Sequence, residues 1–123
     1  MKQLQGFFGT ALPVGDLVEA AEFYAEILGM TAGPITEDRT QIMALPAKKG
    51  ILVLQERKDG FPKFHIVLSV EPGDLENVSA LVNWKSVAVT PIRHQEWLNA
   101  KSFTFRDLDG HTIEVMAILD LAG

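Results

Sequence analysis

Cysteine is absent from the 123 residues, so no disulfide braces this chain. Long apolar runs are absent as well: nothing approaches the roughly 18 consecutive apolar residues of a membrane helix, and no membrane partner is expected. The opening residues, Met1-Lys2-Gln3-Leu4-Gln5, lack the basic start and continuous apolar stretch of a secretory signal. Cytoplasmic residence is the expectation. Positive charge is in short supply too, with 11 Lys and Arg against 16 Asp and Glu and a net charge of −5. That balance repels phosphate backbones, so nucleic acid is excluded as a general partner and a small-molecule ligand is expected instead.

What is present is a soluble globular composition, 47% hydrophobic and 22% charged, of a length that fits one domain over residues 1–123. Residues 5–14 read as a strand. Asp16 then caps a helix, Glu19 stands at the capping-box position, and Gly29 stops the helix with a left-handed residue. Leu17, Ala20, Ala21, Tyr24 and Leu28 share one face, the pattern of a helix lying on a core. Strands are expected near 31–35, 39–45 and 50–55, followed by a hinge at 56–62 where Gly60 and Pro62 interrupt a charged run. After the hinge the order begins again, with a strand at 64–70, a helix from Asp74 to about Trp84, and strands near 86–89, 102–106 and 111–117.

The halves superpose as sequence: G-T-A-L-P-V at 9–14 matches H-I-V-L-S-V at 65–70, and both run on to an Asp-Leu helix start, Asp16-Leu17 and Asp74-Leu75. The chain is therefore expected to be α+β, two βαβββ repeats over about 5–56 and 63–117. Each repeat has one apolar sheet face that it cannot cover alone, so the two are expected to combine their sheets to share a core or cavity.

Residues 11–30, A-L-P-V-G-D-L-V-E-A-A-E-F-Y-A-E-I-L-G-M, and residues 103–115, F-T-F-R-D-L-D-G-H-T-I-E-V, resemble the opening and closing motifs of the vicinal oxygen chelate superfamily. This is the glyoxalase, bleomycin-resistance and extradiol dioxygenase group. Leu108 stands where that family usually has Pro, and His111 where it has Asn. The resemblance implies a cupped mixed β-sheet with the helices outside, a divalent metal, one of Fe, Mn, Ni, Co or Zn, held by residues of the first and last strands of each half, and a homodimer. Position by position it assigns His65 and Glu114 as metal ligands, with Glu114 also catalytic. In the first half it places Gly9 and Val53 where ligands usually stand.

Taken alone, a histidine on an apolar strand is more often a hydrogen-bonded structural residue than a ligand. Glu114 shares a strand face with Thr112 and Met116, so it faces either a wet cavity or solvent. Gln5 lies on Gly9's expected strand face but about 13 Å along it, four residues at roughly 3.3 Å each, too far to substitute as a ligand. Gln55 and Glu56 would substitute only if their strand bulged. Phe7, Gly9 and His94 are the candidate substrate-binding residues: Phe7 as an aromatic on Gly9's face, Gly9 as a close-approach position or a widened pocket floor, and His94 at a loop over a pocket mouth. Trp84 and Trp97 are aromatics of the same kind, more often core than stacking platforms, and His111 reads as a turn residue.

Two functions follow. The first is a small-molecule enzyme of the vicinal oxygen chelate type, a lyase, isomerase or dioxygenase using a weak or partly water-ligated divalent ion, and not glyoxalase I proper. The second is a metal-free small-molecule or antibiotic-binding protein of the bleomycin-resistance kind. A metal-free acid–base use of His65 with Glu114 is a third arrangement compatible with the residues.

Overall fold

The structure is a computed structural model that describes residues 1–96 and 98–119; Trp97 lies outside the described residues. The chain divides into two compact units, Met1–Phe61 and Pro62–Gly123, with the division inside the expected hinge. Each unit is one βαβββ module carrying a four-stranded mixed sheet.

In the first unit β1 (Thr10–Val14) leads through a short turn to α1 (Leu17–Leu28). Asp16 is extended at φ −133°, ψ 111°, and its carboxylate accepts the Glu19 amide at 3.0 Å, satisfying an N–H that the first helical turn leaves open. Gly29 ends the helix at φ 68°, a conformation that favours glycine, and its N–H returns to the Ala25 carbonyl. Strands β2 (Thr31–Ile35), β3 (Thr40–Ala44) and β4 (Ile51–Glu56) complete the sheet in the order β1-β4-β3-β2, with β1 and β4 parallel. Alternate residues Leu12, Val14, Met43, Leu52 and Leu54 are buried, and α1 covers β3 and β4 with Leu17, Ala20, Ala21 and Tyr24. Truncating any one of these large side chains to Ala would cost roughly 2–5 kcal/mol.

The second unit repeats the plan with β5 (His65–Ser69), α2 (Leu75–Trp84), β6 (Arg93–Gln95), β7 (Ala100–Arg106) and β8 (Thr112–Ile118), ordered β5-β8-β7-β6. Ile66, Phe103, Phe105, Ile113, Val115 and Ala117 form its buried side, on which α2 contributes Leu75 and Val82. Because side chains alternate across a strand, the intervening residues His65, Val67, Ser102, Thr104, Arg106, Thr112 and Glu114 share the other face.

Three sequence expectations need correcting. The first strand starts at Thr10 and not at Gln5, so Gln5, Phe7 and Gly9 precede it. No strand forms at 86–89: the amides of Lys85, Ser86 and Val87 bond to the Leu81, Val82 and Asn83 carbonyls and finish α2, and the edge strand is β6 instead. Asp74 makes no side-chain cap, because the turn Pro72–Asp74 already runs helically into α2.

Candidate functional site

The parallel pairing of β5 with β8 sets His65 opposite Thr112 and Val67 opposite Glu114, which leaves His65 and Glu114 diagonal neighbours on one face. Their side chains meet, with His65 Nε2 2.8 Å from Glu114 Oε1. The other carboxylate oxygen accepts a hydrogen bond from Ser102 Oγ at 2.6 Å, and Gln95 Nε2 donates to that same hydroxyl at 2.9 Å. Glu114 is thus a buried carboxylate whose two oxygens both have donors, the condition under which such burial is tolerated. A carboxylate only accepts, so Nε2 carries the bridging proton and Nδ1 of the neutral ring becomes the acceptor. The histidine side chain is 57% exposed against 10% for its partner. An oriented imidazole with one nitrogen held from behind and the ring open in front is suited to accept a proton or a hydrogen bond from a small molecule.

The other sequence candidates fall elsewhere. His94 sits on β6 and not in a loop; it pairs with Lys101, on the opposite parity from Ser102 and Gln95, and its Nε2 lies 3.1 Å from Asn99 Oδ1. The structure therefore does not bring it to the His65–Glu114 face. Phe7 is fully exposed ahead of β1. Gly9 answers to the close-approach reading: a Cβ there would lie 2.2 Å from the Ile51 carbonyl oxygen, so the backbone of β4 occupies the space a side chain would need. The pairing registers also fix the correspondence of the halves, since Ala11 pairs Val53 as Val67 pairs Glu114.

Sequence reasoning missed three residues. Ser102 and Gln95 were invisible because a serine between apolar strand residues and a glutamine in a short edge segment carry no motif. Ser102 alternates with buried Phe103, and that alternation alone placed it on the polar face. His111, expected as a turn residue, is fully buried, and its Nδ1 accepts the Phe64 amide at 2.9 Å while its own amide bonds to Asp107 Oδ1. It ties the start of β5 to the turn before β8 and so fixes the register on which His65 meets Glu114.

The divalent ion implied by the resemblance was tested against the donors present. Catalytic sites of this kind use three protein ligands plus exchangeable water. His65 and Glu114 supply two, their first-half counterparts are Gly9 and Val53, and among the described residues no three His, Cys, Asp or Glu side chains are grouped to hold an ion. Glu56 does not fill the gap. β4 runs without a bulge, and the Glu56 carboxylate accepts the Leu17 amide at 2.9 Å and both Nε and Nη2 of Arg39, at 3.1 and 3.2 Å. The Arg39 hydrogen bond first, then the Leu17 amide, hold its pKa down to about 2. The donor set does not fit a resident three-ligand ion.

Comparison with known proteins gives a consistent family. Residues 6–115 match the model of the Glyoxalase/Bleomycin resistance protein/Dioxygenase superfamily. An integron cassette protein from the mobile metagenome of a Halifax Harbour sewage outfall is 33% identical, over 93% of this chain and 99% of that one, with a TM-score of 0.87. At lower identity the likeness is one of fold. Lactoylglutathione lyase from Agrobacterium tumefaciens is 16% identical over 94% of this chain and 95% of that one, TM-score 0.79. The fosfomycin resistance protein FosX from Listeria monocytogenes, solved as a mutant with Mn(II) and 1S,2S-dihydroxypropylphosphonic acid, is 17% identical over 94% of this chain and 91% of that one, TM-score 0.72. No curated protein matches. Among the described residues no helix is long and apolar enough to cross a membrane.

Proposed function

We propose, from the premise that this chain belongs to the Glyoxalase/Bleomycin resistance protein/Dioxygenase superfamily, that it acts on a small molecule through the His65–Glu114 pair. The imidazole is the proton acceptor, and the carboxylate, fixed by Ser102, orients it. The observation that carries this reading is the 2.8 Å contact between the exposed imidazole and a carboxylate whose second oxygen is already engaged. Glu114 holds the ring in one tautomer and stabilises the imidazolium once a proton has arrived. Ser102 and Gln95 keep the carboxylate from rotating away.

A second reading retains an ion, because two neighbouring ligands of one metal at about 2.1 Å stand about 3 Å apart, close to the separation seen here. Water would then complete the coordination, and binding would be weak.

One experiment separates these. Protein freed of metal by a chelator is incubated with small aldehydes, epoxides and phosphonates, and their consumption is followed by proton NMR for wild type, His65→Gln and Glu114→Gln. Turnover in the presence of chelator, falling about 10²-fold or more in each variant, is the expected result. Turnover only on addition of Mn(II), Ni(II) or Zn(II) supports the second reading. Turnover indifferent to both substitutions overturns both.

A further inference from the structure

Beside the pair, the second unit has a groove of about 450 Å³ lined by Val87, Ala88, Val89 and Thr90 on one side and by residues of β7 and β8 on the other. That volume is in the range of small-ligand sites, roughly 300–1,000 Å³. Of the β7 and β8 residues lining it, Thr104, Arg106 and Thr112 lie on the same face as His65 and Glu114. Resting on the function proposed above, we infer that this groove takes a small organic anion with an apolar body, its oxyanion held by Arg106 and its other end beside His65.

The register gives the span. Arg106 pairs Thr112 and Thr112 pairs His65, so the three form one row across β7, β8 and β5. With neighbouring strands about 4.8 Å apart, the two ends of the row are about 10 Å apart in the backbone, the reach of a molecule of six to eight heavy atoms.

Charge gives the class. Arg106 takes part in none of the ion pairs among the described residues, and its Nη1 donates only to the Gly110 carbonyl, at 3.3 Å. A guanidinium has five N–H donors, so most of its capacity faces the groove and solvent. Arg93, opposite Ser102, lies on the same face but four residues along β7 from Arg106, roughly 13 Å, so Arg106 is the cation of the groove. Glu114 is the face's one strand carboxylate, and His65 and Ser102 already engage it, so it does not compete for Arg106. The Thr90 and Thr104 hydroxyls, 3.3 Å apart, and that of Thr112 add neutral polar groups, while Val87, Ala88 and Val89 give the apolar wall.

The probes are hexanoate, hexylphosphonate and 1-hexanol, titrated into chelator-treated, isotope-labelled full-length protein and followed by amide NMR. The anions are expected to move the Thr90, Thr104, Arg106 and Thr112 amides at millimolar concentration, and hexanol to bind about tenfold more weakly or less. Arg106→Gln is expected to lower anion affinity about tenfold and leave hexanol unaffected; the amide spectrum itself reports that the variant is folded. Hexanol binding as tightly as the anions, Arg106→Gln without effect, or anions that leave these amides unmoved would each overturn the inference while leaving the His65–Glu114 function standing. The function alone fails if Arg106→Gln weakens the anions as expected but His65→Gln leaves turnover of the small-molecule panel unchanged.

Discussion

The two sheets share one strand order, yet the faces away from their helices differ in chemistry. Where the second sheet sets His65 and Glu114, the first has Val53, with Gly9 just ahead of β1; where the second has Val67 and Thr112, the first has Ala11 and Ile51. The helix-side patterns are alike, Leu12, Val14, Leu52 and Leu54 in one and Ile66, Ile113 and Val115 in the other. The fold therefore depends on the helix side of each sheet, and the opposite side is free to carry donors or none. The acids show the same division. Glu56 ends its strand as a cap for α1 and a partner for Arg39, whereas Glu114 ends its hydrogen-bond chain at an exposed imidazole.

Exchanging residues between the faces gives the sharpest tests. Glu114→Val, which copies the first half into the second, removes the partner of His65 and the acceptor of Ser102; turnover should fall about 10²-fold or more while the amide spectrum stays folded. The reverse exchange, Gly9→His, should not create a ligand. A Cβ at 2.2 Å from the Ile51 oxygen must push β4 aside, and a loss of about 1–3 kcal/mol in urea denaturation is expected, with Gly9→Ala showing most of it. Ser102→Ala leaves Glu114 Oε2 without its donor and should destabilise by about 1–3 kcal/mol, with a fall in turnover smaller than that of Glu114→Val.

The smallest effect concerns the first half's acid. The folded pKa of Glu56 is lowered to about 2 from an ordinary 4.5, so the carboxylate's contribution is complete above about pH 4.5 and is lost as the pH falls through 2. Wild type should exceed Glu56→Gln in stability at neutral pH, and the gap should close between pH 4.5 and 2 in acid denaturation followed by circular dichroism. Substrate turnover by the second half should be unaffected by the same substitution.

Much of this was legible beforehand because local physics dictates it. Asp16 and Gly29 fix α1 through hydrogen bonds made within a few residues, and the family resemblance puts His65 and Glu114 on the first and last strands of one module, which the structure pairs. What was not legible depends on tertiary pairing. The segment Ser86–Val89 has strand-forming residues, but the end of α2 takes its first amides, and a three-residue edge strand such as β6 has too short a pattern to be seen. His111 reads as a turn residue because the partner of its ring, the Phe64 amide, lies 47 positions earlier in the chain. The two readings of Gly9, a close approach or a widened floor, differ only in tertiary structure, where the Ile51 carbonyl fills the space a side chain would take.

The proposed chemistry depends on His65 being held through Nε2 by Glu114 with Nδ1 free to accept. Long-range proton–nitrogen NMR of the His65 ring in chelator-treated protein, at a pH where the ring is neutral, reads this directly. The expected result is the Nε2–H tautomer, an Nδ1 resonance that moves when hexanoate is added, and loss of the tautomer preference in Glu114→Gln. An Nδ1–H tautomer, or a ring whose state ignores Glu114→Gln, would contradict it.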